Sequence, residues 1–444
     1  MEVNYRNKKP YNTAKLPMRQ NIVLTHLMCG LSKILMPKDN PYKIEKFNME
    51  GLKPPYILLS NHMYFIDFQL NAIATHPHRV HNVVTIDGYY LRPWIMEWIG
   101  SICKRKFTTD LHLIKSIRHV LKRGDVLCMY PEARYSPVGT TAILPDSLGK
   151  LIKMNKVPVV VMLHHGNYLY TPFWNFRKPR KCPLYTTMEQ VLTAGQVESM
   201  SAEEINEVIR KAMQYDEYKW QKEQNIRITE PYRAEGLHKV LYQCPHCGKE
   251  REMASEGARI FCKSCGKGWE MDELGQLHAL EGETEFPHIP DWYEWERAQV
   301  RAQIEAGTYS FEDEVDVYSL PRTMKYYHLG KAVLKHDFEN GFTLEGHYRN
   351  APYKIERAAN SMYGVHIEYD YCNIKPFDCI DISTDTDSFY CYPTQHDVVT
   401  KLSLATEEIF KIHAERREAE KQAKKLARLK AKQAKAKPQE ETQE

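Results

Sequence analysis

The stretch Tyr56-Ile57-Leu58-Leu59-Ser60-Asn61-His62-Met63-Tyr64-Phe65-Ile66-Asp67 decides how the rest of the chain is read. Residues 56–59 are a short apolar run with the length of a buried strand. Ser60 and Asn61, turn and cap formers, end it. The periodic apolar stretch over 65–75 predicts a helix. His62 therefore stands in the strand-to-helix loop and Asp67 in the first turns of the helix. This placement matters: five residues apart on one helix, the two side chains would point about 140° away from each other. A loop histidine can instead meet a carboxylate on the helix that follows. A neutral imidazole can take a proton near pH 7, and a carboxylate can fix its tautomer. The carboxyl end of such a strand opens onto the crevice where α/β sheets bind ligands. His62 and Asp67 are thus a candidate general base and its orienter, although a lone His and Asp at any one spacing often arise by chance.

The surrounding rhythm supports an α/β fold. Apolar runs at 56–59, 82–86, 126–130 and 157–163 alternate with amphipathic spacers such as 65–75 and 110–122. This alternation predicts a mostly parallel sheet flanked by helices. A second block, Met129-Tyr130-Pro131-Glu132-Ala133-Arg134-Tyr135-Ser136, also lies at the carboxyl end of an expected strand. A carboxylate and a guanidinium there would face the same crevice, and the guanidinium fork suits a phosphate. A third block, Val157-Pro158-Val159-Val160-Val161, reads as a core strand or as the wall of an acyl-chain surface.

The ordered set, Asn61-His62-x4-Asp67, then a strand ending in Pro131-Glu132, then Val157-Pro158-Val159, resembles the glycerolipid acyltransferases of the lysophosphatidic acid (1-acylglycerol-3-phosphate) acyltransferase family over about residues 50 to 170. The resemblance implies an acyltransferase-type sheet, a thioester donor (acyl-CoA or acyl-carrier protein) and a lysophospholipid acceptor in phospholipid biosynthesis. It implies that His62 deprotonates the acceptor hydroxyl and Asp67 orients His62. Asn61, Glu132, Arg134 and Arg105 would bind substrate, with Arg105 coming from Gly100-Ser-Ile-Cys-Lys-Arg105 and Lys104 and Lys106 as alternatives. The chain departs from the family at three places. Tyr64 stands where a Ser is usual; the Pro131-Glu132 block has Ala133 for a Gly and Arg134 one residue early; and the family's Gly-to-Arg motif is met only loosely, by Gly100 to Arg105. These departures motivate an alternative: a non-catalytic lipid- or acyl-carrier-binding protein on the same fold.

Composition bounds the rest. The 444 residues suffice for two or three domains, and 43% hydrophobic residues can form a sizeable core. A net charge of +4 gives no global pull to nucleic acid, which is not expected as a partner. The first twenty residues are polar, unlike a secretory leader. Apolar runs of the roughly 18 or more residues a spanning helix needs are lacking. With the lipid acceptor that the resemblance implies, a cytoplasmic protein peripheral to the inner face of the cell membrane is expected. Over 21–36, Ile22, Val23, Leu27, Met28, Leu31 and Ile34 recur at helical spacing among basic residues, which fits a packed helix or an interfacial one.

Of the 11 cysteines, four fall in Cys244-Pro-His-Cys247-Gly248 and Cys262-Lys-Ser-Cys265-Gly266, fourteen residues apart. Thiolates so spaced wrap one tetrahedral Zn²⁺, with each Gly permitting the tight turn beneath it. A structural zinc ribbon is expected, all four ligands being protein groups. Beyond it, short aromatic alternating runs between 308 and 400, separated by turn signals, predict an antiparallel β domain, a small sandwich or barrel closed by a helix in pleckstrin-like fashion. The expected organisation is 1–40, an N-terminal amphipathic helix region; 41–200, the acyltransferase domain; 201–235, a long helical connector opened by the capping box Ser201-Ala-Glu-Glu204; 236–285, the ribbon; 286–307, a helical linker; 308–412, the β-rich domain; and 413–444, a basic low-complexity tail.

Overall fold

A computed structural model describes residues 9–436 together with Val3 and Tyr5, apart from positions 109 and 372; for 430–436 it describes the backbone alone. The first sheet has seven strands: β1 (Tyr42–Phe47), β2 (Ile57–Ser60), β3 (Val80–Thr85), β4 (Ile102–Lys104), β5 (Val126–Met129), β6 (Val159–His165) and β7 (Leu184–Leu192). Their order is β1-β7-β6-β2-β5-β3-β4. From β6 to β4 every neighbouring pair is parallel; β7 runs antiparallel to β6, and β1 is parallel to β7. Ile57, Leu58 and Leu59 are fully buried, as expected for a central parallel strand covered on both faces. Leu58 pairs with Cys128 of β5 on one side and Val160 of β6 on the other. The loops after β2, β5 and β6 therefore emerge side by side, and this juxtaposition builds the site.

Helices α1 (Ile22–Leu35), α2 (Ile66–Thr75), α3 (Pro93–Trp98), α4 (Leu111–Lys122), α5 (Ser147–Asn155), α6 (Asn167–Tyr170) and α7 (Ala194–Ser199) accompany this sheet. α1 packs on α2 through Thr25, Cys29 and Ser32, and turns its large residues outward: Val23 is 70% exposed and Ile34 77%. The stretch expected as one connector helix is two, α8 (Ala202–Ala212) and α9 (Glu217–Glu223). The break falls where Tyr215 folds back to hydrogen-bond Glu132 and Asp216 caps the new helix at Lys219 N–H (2.9 Å).

A four-stranded antiparallel sheet follows, β8 (Met253–Glu256), β9 (Arg259–Cys262), β10 (Gly268–Met271) and β11 (Leu277–Ala279), then α10 (Ile289–Glu305). Trp269 of β10 meets Trp292 of α10 edge-on at 4.9 Å. The last sheet is antiparallel throughout: β12 (Ser310–Ser319), β13 (Tyr327–Asp337), β14 (Gly341–Tyr348), β15 (Ala351–Arg357), β16 (His366–Glu368), β17 (Cys379–Ser383) and β18 (Ser388–Pro393), in the order β15-β14-β13-β12-β18-β17-β16. Helix α11 (Val399–Ala436) closes it and continues into the basic tail.

These parts share one core. A single buried cluster runs from Met63, Tyr168 and Trp174 through Trp269 and Trp292 to Leu344, Phe389 and Leu402. The N-terminal segment joins in: Tyr5 bonds Ser319 (2.7 Å) and Asp387, and Tyr11 N–H bonds the Pro321 carbonyl (2.8 Å). The described residues of that polar segment are thus a strap across the C-terminal sheet.

Candidate active site and cysteine cluster

Asp67 is the second residue of α2 and is completely buried. Its Oδ2 accepts from the backbone N–H groups of Met63 (2.7 Å) and Tyr64 (3.1 Å) and meets His62 Nδ1 at 3.0 Å. Its Oδ1 accepts from Asn167 Nδ2 (2.7 Å). Burial opposes its ionisation, but the hydrogen bond to His62, the nearby histidines and Asn167 outweigh this and hold the carboxyl below its usual range. A carboxylate at Nδ1 puts the ring proton there and leaves Nε2 as the basic nitrogen. Among the described residues Nε2 has no hydrogen-bond partner, and the side chain keeps 24% exposure. The rings of Tyr130 and Tyr135 pack against the imidazole with centroids at 4.1 and 4.3 Å. Ser136 N–H bonds the His62 carbonyl (3.1 Å), tying the β5 loop to the β2 loop.

The remaining expected site residues are placed as follows. Asn61 is fully buried and clips β2 to β6, donating to the His164 carbonyl (3.0 Å) and accepting from His164 N–H (2.8 Å). Glu132 is buried against the Tyr215 hydroxyl (2.9 and 3.1 Å), and burial pushes its carboxyl up to about 8 despite that bond. Arg134 turns to α11, where it pairs with Glu407 and donates to Ser403 Oγ (2.8 Å). Arg105 donates to the Leu320 and Pro321 carbonyls and Ser388 Oγ, all at 3.1 Å. Of the alternatives, Lys104 donates to the Thr108 carbonyl (2.8 Å), and Lys106 pairs with Asp87 and Asp381, both at 3.0 Å. Arg105 and Arg134 thus reach the C-terminal β domain and α11, and Lys106 pairs with Asp381 on β17.

Several further groups complete the site. Asn167 anchors Asp67 from the β6 side. His164 bridges Asn71 Oδ1 (3.0 Å) and Thr186 Oγ1 (2.9 Å), and burial drives its pKa down to about 4, so it is neutral. Asn71 also donates to the Tyr130 hydroxyl (2.7 Å), which braces that ring beside His62. The one signal for Asn167 and His164 was their position at the end of an apolar strand next to β2.

In the ribbon, the Cys244–Cys265 and Cys247–Cys262 sulfurs lie 3.8 Å apart, and all four sulfurs lie within 4.8 Å of one another. Bonds of about 2.3 Å at tetrahedral angles would set ligand sulfurs about 3.8 Å apart, so the four cysteines fit a zinc-sized ion. The two knuckles are built alike. Gly248 N–H bonds the Cys244 carbonyl and Gly266 N–H the Cys262 carbonyl, both at 2.9 Å, with glycine φ of +74° and +77°. These left-handed turns are why a glycine follows each pair.

No family model and no curated protein matches the chain. Among solved structures it is similar to the 1-acyl-sn-glycerophosphate (LPA) acyltransferase PlsC from Thermotoga maritima, with a TM-score of 0.36 and 14% identity over 46% of this chain and 80% of that one. Among the described residues, no helix is long and apolar enough to cross a membrane.

Proposed function

We propose that the protein is an acyltransferase that moves a fatty acyl group from a thioester donor, acyl-CoA or acyl-carrier protein, to the hydroxyl of a lysophospholipid or glycerol phosphate acceptor. The observation that carries this reading is the dyad: a partly exposed His62 whose Nδ1 is held by a buried carboxylate while Nε2 is left unengaged. In the proposed step Nε2 takes the acceptor's hydroxyl proton as that oxygen attacks the thioester carbonyl. The C–O bond forms, the C–S bond breaks, and the leaving thiolate takes the proton back from the imidazolium. Tyr130 and Tyr135 keep the imidazole in one orientation. The four cysteines, in this reading, hold a structural Zn²⁺ with no open position for catalysis.

The acceptor is reached at a membrane surface. α1 buries its small side chains and exposes Val23, Leu27, Ile34 and Leu35, and Phe65, beside the dyad, is 54% exposed. Lys33 on α1 and Lys38 just beyond it add attraction to anionic headgroups. Co-sedimentation with anionic vesicles should fall sharply in Leu27→Glu/Ile34→Glu, and unchanged binding would rule this surface out.

A second reading, a non-catalytic lipid- or acyl-carrier-binding protein, is favoured by one observation: Arg105 and Arg134 are already held by C-terminal groups. The test is release of free thiol from acyl-CoA and acyl-ACP in the presence of a panel of lysophospholipids and glycerol 3-phosphate. Acceptor-dependent release supports the enzyme, and lipid binding without release supports the second reading.

A further inference from the structure

We infer that Glu217, with His165, is a positioning pair for the dyad, holding the turn from which Asn167 fixes Asp67. The inference rests on the reading of His62 as the base. Glu217 opens α9 and is completely buried. One of its oxygens meets His165 Nδ1 at 2.8 Å, and the other accepts Gly166 N–H at 2.7 Å. The next residue, Asn167, donates to Asp67 Oδ1 at 2.7 Å. The route from Glu217 to His62 is therefore Gly166 N–H, Asn167 amide, Asp67 carboxylate and His62 Nδ1, with short hydrogen bonds joined by one peptide step.

The turn has little slack of its own. Gly166 sits at φ +84°, and a Cβ there would lie 2.2 Å from the Pro183 carbonyl oxygen. The backbone at 166 thus takes a conformation and a close approach that only glycine fits, and its N–H is held by Glu217. Glu217 also reaches the β5 loop, its N–H donating to the Gly139 carbonyl (2.9 Å), while Tyr215 holds Glu132. Residues 215–217 therefore brace both loops that flank His62.

The two His–carboxylate pairs are built alike. Each histidine lies at or just beyond the carboxyl end of one of the neighbouring parallel strands β2 and β6. Each gives Nδ1 to a buried carboxylate that also takes a backbone N–H. Each is packed by two aromatic rings, Tyr130 and Tyr135 for His62, and Trp220 (5.1 Å) and Tyr185 (6.4 Å) for His165. His165 has 15% side-chain exposure and faces no group assigned to the reaction, whereas the carboxylate it steadies holds the N–H of Gly166, the residue before the anchor of Asp67.

The test is a double-mutant cycle on the full chain. Glu217→Ala and Asn167→Ala should each lower kcat by about 10- to 100-fold, since a 1 Å misplacement costs on that order, with KM changed less than about threefold. Because both act along one route, the double variant should lose little more than either single one. Glu217→Gln, which still accepts Gly166 N–H, should restore most of the activity. In ¹⁵N-histidine-labelled protein the His62 ring signals should shift in Glu217→Ala and return in Glu217→Gln. Should Glu217→Ala not fold, Glu217→Asp, which withdraws the carboxylate by one methylene, carries the same expectation. Multiplying kcat losses, or unshifted His62 signals, would overturn the inference. Wild-type protein that turns over no acceptor would instead overturn the reading of function, and the ring signals would still decide the role of Glu217.

Discussion

Replacing Asp67 by Asn or by Ala should separate what its charge does from what its hydrogen bonds do. Asp67 receives two backbone N–H groups and His62 on Oδ2, and Asn167 on Oδ1. An asparagine oxygen in the Oδ2 place keeps the first three donors. Its amide would then face the Asn167 amide nitrogen, but Asn167 Oδ1 is buried without a partner among the described residues, and a half turn of that group supplies an acceptor. Asp67→Asn thus weakens charge-assisted bonds and relieves a buried charge, a net cost of about 1–2 kcal/mol. Asp67→Ala strands the Met63 and Tyr64 N–H groups at about 1–3 kcal/mol each, for a loss of roughly 4 kcal/mol. Both remove the anion from Nδ1, so both should lower kcat by about 10²- to 10⁴-fold. The sign of the pH dependence follows from the depressed carboxyl. Its stabilisation is present above the unfolded value of about 3.9 and is lost as pH falls through the folded one. The gap between wild type and Asp67→Asn should therefore close in acid. Urea denaturation and turnover of the three proteins measure all of this. Equal destabilisation by Asn and Ala, or an Asn variant with wild-type kcat, would refute the reasoning.

Further outcomes follow from the same contacts. Purified protein should hold about one zinc per chain by elemental analysis, and Cys262→Ser should release it and expose the Trp269–Trp292 pair to quencher. Glu407→Ala should destabilise more than Arg134→Ala, because Glu407 also pairs with Arg297 (2.5 Å), so losing it costs a buried and a partly buried guanidinium a partner while losing Arg134 leaves Glu407 paired. Glu132→Gln should stabilise the protein more at pH 8 than at pH 5. The buried carboxyl is neutral up to about 8, whereas the unfolded one ionises near its ordinary value of about 4.3, so wild-type stability falls across that window.

The strand, loop and helix around His62 were legible because an apolar run, two turn formers and a helical period follow in order. The four cysteines were legible because ligand spacing is itself the signal. β1 and β7 were not, since Tyr42–Phe47 interleaves Lys and Glu and lies at an exposed sheet edge, and Leu184–Leu192 interrupts its apolar residues with Thr, Glu and Gln. The α1 periodicity was visible, but not that its small face is the one buried. Tyr215 and Glu217 sit in a charged stretch that reads as one long connector helix, and only the turn between α8 and α9 brings them to the site. Arg105 and Arg134 show the limit most clearly. Residue type says that a guanidinium can fork onto an anion or a pair of carbonyls, but the C-terminal sheet and α11, hundreds of residues away, decide which ones.

His62 is proposed as the base of an acyl transfer. The most direct test of that role is mass-spectrometric detection of the lipid formed from an isotope-labelled acyl thioester and a lysophospholipid by wild-type protein and by His62→Ala. Labelled diacyl product is expected with wild type, and a loss of about 10²-fold or more in its rate of formation with the variant. Equal product from both would contradict that role.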